Sequence, residues 1–366
     1  VGAGNYHTAA IKTDGTFWAW GYNVYGNLGL SDITNRSSPV QVGALTNWSK
    51  VSCGYYHTTA INSNGTAFLW GSGVNGQIGS LSPKNRKFPY QLGFGKFTDI
   101  SKVSVDSHAA AIKTDGTLWT WGRNNNGQLG LGDINDTFEP EQVGSSNTWT
   151  DVSTGGASSA GINNGYLYTW GNNANGQLGQ NNNFSYNTPI LVGLPSLDNI
   201  VEIGVGENYT IIIKNDGTLW AFGGNGSGQL GLSNTTDISS PVQVGTLTNW
   251  SKLSGGMGQQ HAAIKTDGTL WAWGSNAYGQ LGMSDQNSRS SPTQVGSLTN
   301  WAQVSGNNHT VAIKTDGTFW SWGTNASEVR ASARREFRWP LPSVSTAPHG
   351  SLCCHSLRLP LGIALV

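Results

Sequence analysis

The residues best placed to do chemistry are histidines that return at nearly one fixed interval. His7, His57, His108 and His309 each follow a short variable loop, and His261 stands one place further on in its own copy. A ring of imidazoles can bind a metal or move protons. Here Ser158, Tyr209 and Gln260 break the aligned position, and no Asp or Glu accompanies each His. The simpler reading is that each His caps a strand end and bonds to the next unit of the fold. The same loops differ most from copy to copy, as a binding surface on a repeated scaffold requires. Tyrosine suits such a surface, because it buries area while keeping a polar tip. The candidate partner-binding residues are therefore Tyr6, His7, Tyr55, Tyr56, His57, His108, Asn208, Tyr209, Gln259, His261, Asn307 and His309.

Other chemistry finds little support. Asp133, Asn135 and Asp136, and likewise Asp285 and Asn287, suggest a calcium loop, but they lack its Gly and closing Glu and read as solvated turns. The Asp-Gly pairs at Asp14, Asp115, Asp216, Asp267 and Asp316 are turn formers. Three cysteines (Cys53, Cys353, Cys354) cannot make a disulfide framework. The eleven Asn-x-Ser/Thr sites follow from an Asn-, Ser- and Thr-rich composition. No nucleophile with its base and no paired acid and base is visible, so the chain reads as a non-enzyme without a cofactor; a propeller lyase or hydrolase is the enzymatic alternative. The 20 basic and 20 acidic residues of 366 cancel, and no Lys/Arg run occurs. That argues against a nucleic-acid or anionic-membrane partner. No apolar stretch is long enough to span a bilayer. The chain starts at Val1 rather than Met, which reads as a mature form or a fragment.

The elements that position these residues are repeats. Trp-Gly occurs at Trp20, Trp70, Trp121, Trp170, Trp273 and Trp322, with Phe222-Gly223 in the one vacant slot, at spacings of 49 to 52 residues. Six copies continue into Gly-Gln-Leu-Gly or a variant, then Pro-x-Gln-Val-Gly, then Leu-Thr-Asn-Trp-Ser-Lys-Val-Ser. Within one copy, Ala263 to Lys265 and Thr269 to Trp273 alternate with the two-residue period of strands around an Asp267-Gly268 turn. Trp271 and Trp273 then face one side, and Leu270 and Ala272 the other. Each unit holds about four short strands with no long helical period. The expected fold is all-β: a seven-bladed β-propeller of ~50-residue four-stranded repeats with the last blade incomplete. Trp rings packed between blades would hold it together.

The motifs Gly54-Tyr55-Tyr56-His57-Thr58, Asp267 to Gly274 and Asn276 to Gly282 resemble the regulator of chromosome condensation repeat family, and the resemblance covers residues 1–326. It implies the propeller fold, with the variable loops near the axis on one face. Namesake members are guanine-nucleotide exchange factors for a small GTPase and bind chromatin; that role is the alternative function, but the even spacing leaves no room for their inserted wedge. A plant ultraviolet photoreceptor of similar fold carries Gly-Trp-Arg-His-Thr copies, where this chain has neither Trp nor Arg. The low charge and Asn/Ser/Thr/Gly-rich surface resemble secreted bacterial members most. The reading is a non-catalytic module, a monomeric ring that holds an unidentified protein partner on one face. It is expected in an extracellular or cell-envelope setting.

After Ala326 the pattern stops in mid-repeat. Residues 327–366 contain no Asn, Asp, Gln, Lys or Tyr, and five Arg stand against two Glu. Three readings compete: a disordered, frameshifted or fused stretch; a native appendage; or a metal-binding segment using His349, Cys353, Cys354 and His355. The expectation is that the C-terminal region should have supplied the outer strands of a blade shared with Val1. A seventh blade with only its inner hairpin and an unpaired edge would follow.

Overall fold

The computed structural model describes every residue except 94, 96, 101–107, 194–196, 255–257, 325–354 and 359–366. Seven separate four-stranded antiparallel sheets follow one another along the chain, and no helix occurs among the described residues. In each blade the strands lie in sequence order from an inner to an outer one. Blade 1 runs Gly2–Ala3, His7–Ile11, Phe17–Gly21 and Arg36–Gln41; blade 2 runs Trp48–Cys53, His57–Asn62, Ala67–Gly71 and Arg86–Gln91.

The repeated motifs have direct physical reasons. In the Asp-Gly-Thr turn, Asp14 Oδ1 accepts from the Thr16 amide (3.0 Å) and hydroxyl (2.6 Å), and Thr16 Oγ1 accepts from Trp18 Nε1 at 2.9 Å. These bonds hold the Asp14 carboxyl below its usual range. The same bonds recur at Asp115, Asp216, Asp267 and Asp316. The Trp-Gly and Gly-Gln-Leu-Gly motifs meet across blades. Trp170 Nε1 donates to the Gln128 carbonyl at 2.9 Å, and a Cβ on Gly130 would come within 2.9 Å of that nitrogen. The second Gly of the motif is small because the next blade's indole lies on it.

The expected alternation holds. Trp271 and Trp273 pack in one cluster with Trp250, whereas Leu270 and Ala272 pack in the next with Trp301 and Trp322. Each seam between blades thus has its own apolar core. A buried indole removes on the order of 200 Å² from water, roughly 5 kcal/mol at about 25 cal/mol/Å².

Ring closure differs from the expectation. Gly2–Ala3 pairs with Thr8 and Ala9 as the inner strand of blade 1, so blade 1 has its four strands within the first 41 residues and, among the described residues, shares none with the C-terminal region. Two residues suffice because pairing uses only backbone groups. The seam is closed by Ala3, Ala10, Trp20, Val311 and Phe319. The Ala3 amide also donates to Ser305 Oγ at 3.0 Å, and Asn308 Nδ2 to Asn5 Oδ1 at 2.6 Å. Blade 7 likewise exceeds the expected hairpin. It holds Trp301–Gly306, His309–Lys314 and Thr318–Gly323, and His355–Arg358 pairs along its outer edge. An edge's free N–H and C=O groups accept any extended backbone, whatever its sequence. Apart from that strand, the expectations for residues 327–366 fall outside the described residues.

Candidate functional site

The second strand of each blade starts, and the third ends, at the same end of the ring. The variable loops therefore open on one face beside the loops that follow Trp-Gly. On this face blades 1 and 2 bring five tyrosines together. Tyr55 and Tyr56 meet edge to face at 4.4 Å between centroids, Tyr25 lies 4.6 Å from Tyr56, and Tyr6 stacks on Tyr56 at 5.6 Å. Tyr22 completes the group at 5.8 Å from Tyr6. All five are half-buried. Tyr278 of blade 6, 57% exposed, lies close enough to act on the Tyr6 hydroxyl.

The cluster is electrically neutral. The hydroxyls of Tyr6 and Tyr55 are 3.2 Å apart, and that bond, with burial second, pushes the Tyr6 phenol up to about 12. Burial raises Tyr56 and Tyr22 as well, and the charges that act on Tyr6, Tyr22 and Tyr56 are those of other tyrosines. Rings with polar tips and no fixed charge form a surface suited to stacking and to directional hydrogen bonds.

Beneath the loops the histidines are withdrawn from solvent. His7 Nε2 is 2.8 Å from Thr58 Oγ1, His108 Nε2 is 2.9 Å from Ser159 Oγ, and His309 Nε2 is 2.9 Å from Thr8 Oγ1. Each pair joins one blade to the next. At the positions that break the His series, Tyr209 donates to the Gln260 carbonyl (2.7 Å) and Gln260 Nε2 reaches Thr310 Oγ1 (3.1 Å). At five of the seven copies the aligned position thus bonds one blade to the next through polar groups of several kinds, whereas the buried His57 Nε2 and Ser158 Oγ have no partner among the described residues. Burial lowers His7, His57 and His108 to about 3, so they are neutral imidazoles.

Of the twelve candidate residues, the structure gathers Tyr6, Tyr55 and Tyr56 into one patch. Asn208 is half-buried, and Gln259 is exposed and accepts from Ser227 Oγ at 2.9 Å. His7, His57, His108, His261, His309, Tyr209 and Asn307 are buried and offer no surface to a partner, which corrects their assignment to a contact face. Tyr22, Tyr25 and Tyr278 escaped the sequence reading. They stand in the loop after Trp-Gly, where other copies carry Ser, Gly, Asn, Thr or Arg. The same copy-to-copy variation would have found them there.

The described residues contain no group of three or more His, Cys, Asp or Glu placed to hold a metal ion. No helix among them is long and apolar enough to cross a membrane.

Comparison with known proteins places these features in a family. The description "Regulator of chromosome condensation (RCC1) repeat" matches residues 14–61, 115–162, 164–213, 216–263 and 267–313. A second description of the same repeat matches residues 48–77, 200–229 and 304–327. The ultraviolet-B receptor UVR8 of Arabidopsis thaliana is 31% identical over 315 residues, covering 81% of this chain and 69% of the receptor. The probable E3 ubiquitin-protein ligase HERC4 of Mus musculus is 35% identical over 317 residues, 84% of this chain, but this chain spans only 30% of its length. The crystal structure of yeast RCC1 (Prp20), solved with Kap60 bound to it, superposes with a TM-score of 0.76 at 18% identity, covering 88% of this chain and 81% of that one; it shares the fold. These relatives come from a plant, an animal and yeast, and lend no support to the expected bacterial and secreted character.

Proposed function

This chain belongs to the regulator of chromosome condensation repeat family, and we propose that it is a non-catalytic module that binds a protein partner through the tyrosine face of blades 1 and 2. Relatives named as a receptor and a ubiquitin ligase, and a yeast structure with a second protein bound, support a protein-binding or regulatory role. The observation that carries the finer reading is the cluster of Tyr6, Tyr22, Tyr25, Tyr55 and Tyr56: five half-buried rings in mutual contact on one face. Such a cluster is not needed to close the ring, because the seam cores lie elsewhere. Balanced charge supports a protein rather than a nucleic-acid partner.

Two other functions are less well supported. Photoreception by exposed tryptophans is disfavoured, because Trp70, Trp121, Trp170 and Trp273 are fully buried core groups. Nucleotide exchange would need an element that reaches into a GTPase, and the blades are evenly spaced.

The test is affinity capture from the native source with the wild-type chain and with a Tyr6→Ala/Tyr55→Ala/Tyr56→Ala variant, read by mass spectrometry. The expected result is a saturable partner that the variant loses. An unchanged partner set would remove the site. Accelerated nucleotide release from a captured GTPase would replace the non-catalytic reading with exchange.

A further inference from the structure

We propose that the outer rim of blades 2 and 3 is a two-fold interface with a second copy of this chain, in which the basic segment of one blade 2 meets the acidic segment of the other copy's blade 3. The observation is an ion pair that two adjacent blades have divided between them. A loop leads into each outer strand. In blade 1 that loop carries Asp32 and the strand opens on Arg36, and the two pair at 2.6 Å. In blade 6 Asp285 and Arg289 do the same, also at 2.6 Å. Blade 2 keeps the Arg, as Arg86, but has Ser82 in place of the Asp. Blade 3 keeps the Asp, as Asp133, but has Thr137 in place of the Arg.

Further charges widen the division. Residues 81–91 of blade 2 add Lys84 and Lys87 and contain no acid. Residues 132–142 of blade 3 add Asp136, Glu139 and Glu141 and contain no base. Over the same stretch blades 1 and 6 are balanced, blade 4 has no charge and blade 5 has Asp237 alone. Lys84, Lys87, Asp133, Asp136 and Glu141 are exposed. Among the described residues none of these basic and acidic groups of blades 2 and 3 makes an ion pair. Arg86 rests on the Tyr90 ring at 4.8 Å, and its buried Nε has no partner among the described residues.

The two segments adjoin. The Leu81 amide donates to the Phe138 carbonyl at 3.3 Å, so the blade 2 loop lies on the blade 3 outer strand. Leu81 is 74% exposed and Ile134 62%, and Phe88 and Phe138 are exposed as well. Apolar area set among unpaired charges is what a protein interface withdraws from water. The opposite signs on one chain specify the occupant. A two-fold interface brings the same surface of two copies together, so that residue i meets j and j meets i. An axis near the Leu81–Phe138 contact lays each basic segment on the other copy's acidic one, and the match is made twice. The surface carries its own complement, and a second copy satisfies it with no other protein. Such a dimer departs from the monomeric ring expected from the sequence. Exposed ion pairs are individually weak, so it is reversible and sensitive to salt.

Sedimentation equilibrium of the full chain over a dilution series tests this. A monomer–dimer equilibrium is expected, weakened roughly tenfold or more at about 1 M salt, where the screening length falls to roughly 3 Å. Lys84→Glu/Lys87→Glu and Glu139→Lys/Glu141→Lys should each lose the dimer, because opposite charges no longer face each other. These four side chains make no hydrogen bond among the described residues, and circular dichroism checks that the ring is intact. An equimolar mixture of the two variants should dimerise again, since the reversed charges match across it. A wild-type chain that stays monomeric, a dimer that either reversal leaves unchanged, or a mixture that stays monomeric overturns the proposal. Assemblies larger than a dimer overturn the two-fold arrangement.

Discussion

His7 Nε2 lies 2.8 Å from Thr58 Oγ1, and the Thr58 hydroxyl donates its only proton to the Asn27 carbonyl at 2.7 Å. His7 is therefore the donor, with its proton on Nε2. His108, Ser159 and the Gln128 carbonyl repeat the relay two blades on. A histidine of one blade, a hydroxyl of the next and a carbonyl of the Gly-Gln-Leu-Gly motif thus form one chain across each such seam.

One link is missing. Ala109 stands where Thr58 and Ser159 stand in their blades, and the buried His57 Nε2 has no partner among the described residues. Ala109→Ser should supply it and stabilise the ring by about 0.5–1.5 kcal/mol, whereas Thr58→Val should cost about 1–3 kcal/mol by stranding His7 and the Asn27 carbonyl. Denaturant unfolding of both variants checks this. A destabilising Ala109→Ser would mean that the pocket lacks room for the hydroxyl.

Stability should fall with acid. His7, His57 and His108 sit near 3 in the fold and at about 6.5 when unfolded, so the unfolded chain takes up protons first as pH drops. Their contribution is complete above about pH 6.5. It is lost progressively as pH falls from there toward 3, at roughly 1 kcal/mol per pH unit for each histidine. A melting temperature level between pH 7.5 and 4.5 would contradict the burial of these groups.

The tyrosine cluster has its own titration. Tyr55→Phe removes the bond that raises Tyr6, so the Tyr6 phenol should drop from about 12 toward 10. Carbon-13 tyrosine resonances followed through alkaline pH report it. An unmoved Tyr6 would show that burial alone sets the value.

Two glycines of similar φ should respond very differently. Gly43→Ala meets nothing within 4 Å at φ +62° and should cost only the left-handed penalty, about 1–2 kcal/mol. Gly130→Ala, at φ +75°, adds a 2.9 Å approach to Trp170 Nε1 and should cost several kcal/mol. Equal losses would remove the claim that this Gly is selected by the neighbouring indole.

The repeat was fully legible in the sequence, because every motif in it answers a local or next-blade demand. The Asp-Gly-Thr turn closes on itself, the Trp271 and Trp273 alternation follows from the strand period, and blade number follows from counting Trp-Gly. Which polar residues face solvent was not legible. His7 and Tyr6 are adjacent in the chain, yet His7 is buried against Thr58 and Tyr6 joins a half-buried surface patch. His7 opens a strand and Tyr6 belongs to the loop before it, and only the packed blades settle which of the two side chains is outside. Tyr22 and Tyr25 meet Tyr56 because two loops about thirty residues apart open on the same end of the ring. Closure was also decided in three dimensions, since Gly2 and Ala3 needed only their backbone to become a strand. Sequence alone determined the blade and its number of copies; the seams between blades determined what each copy's variable residues became.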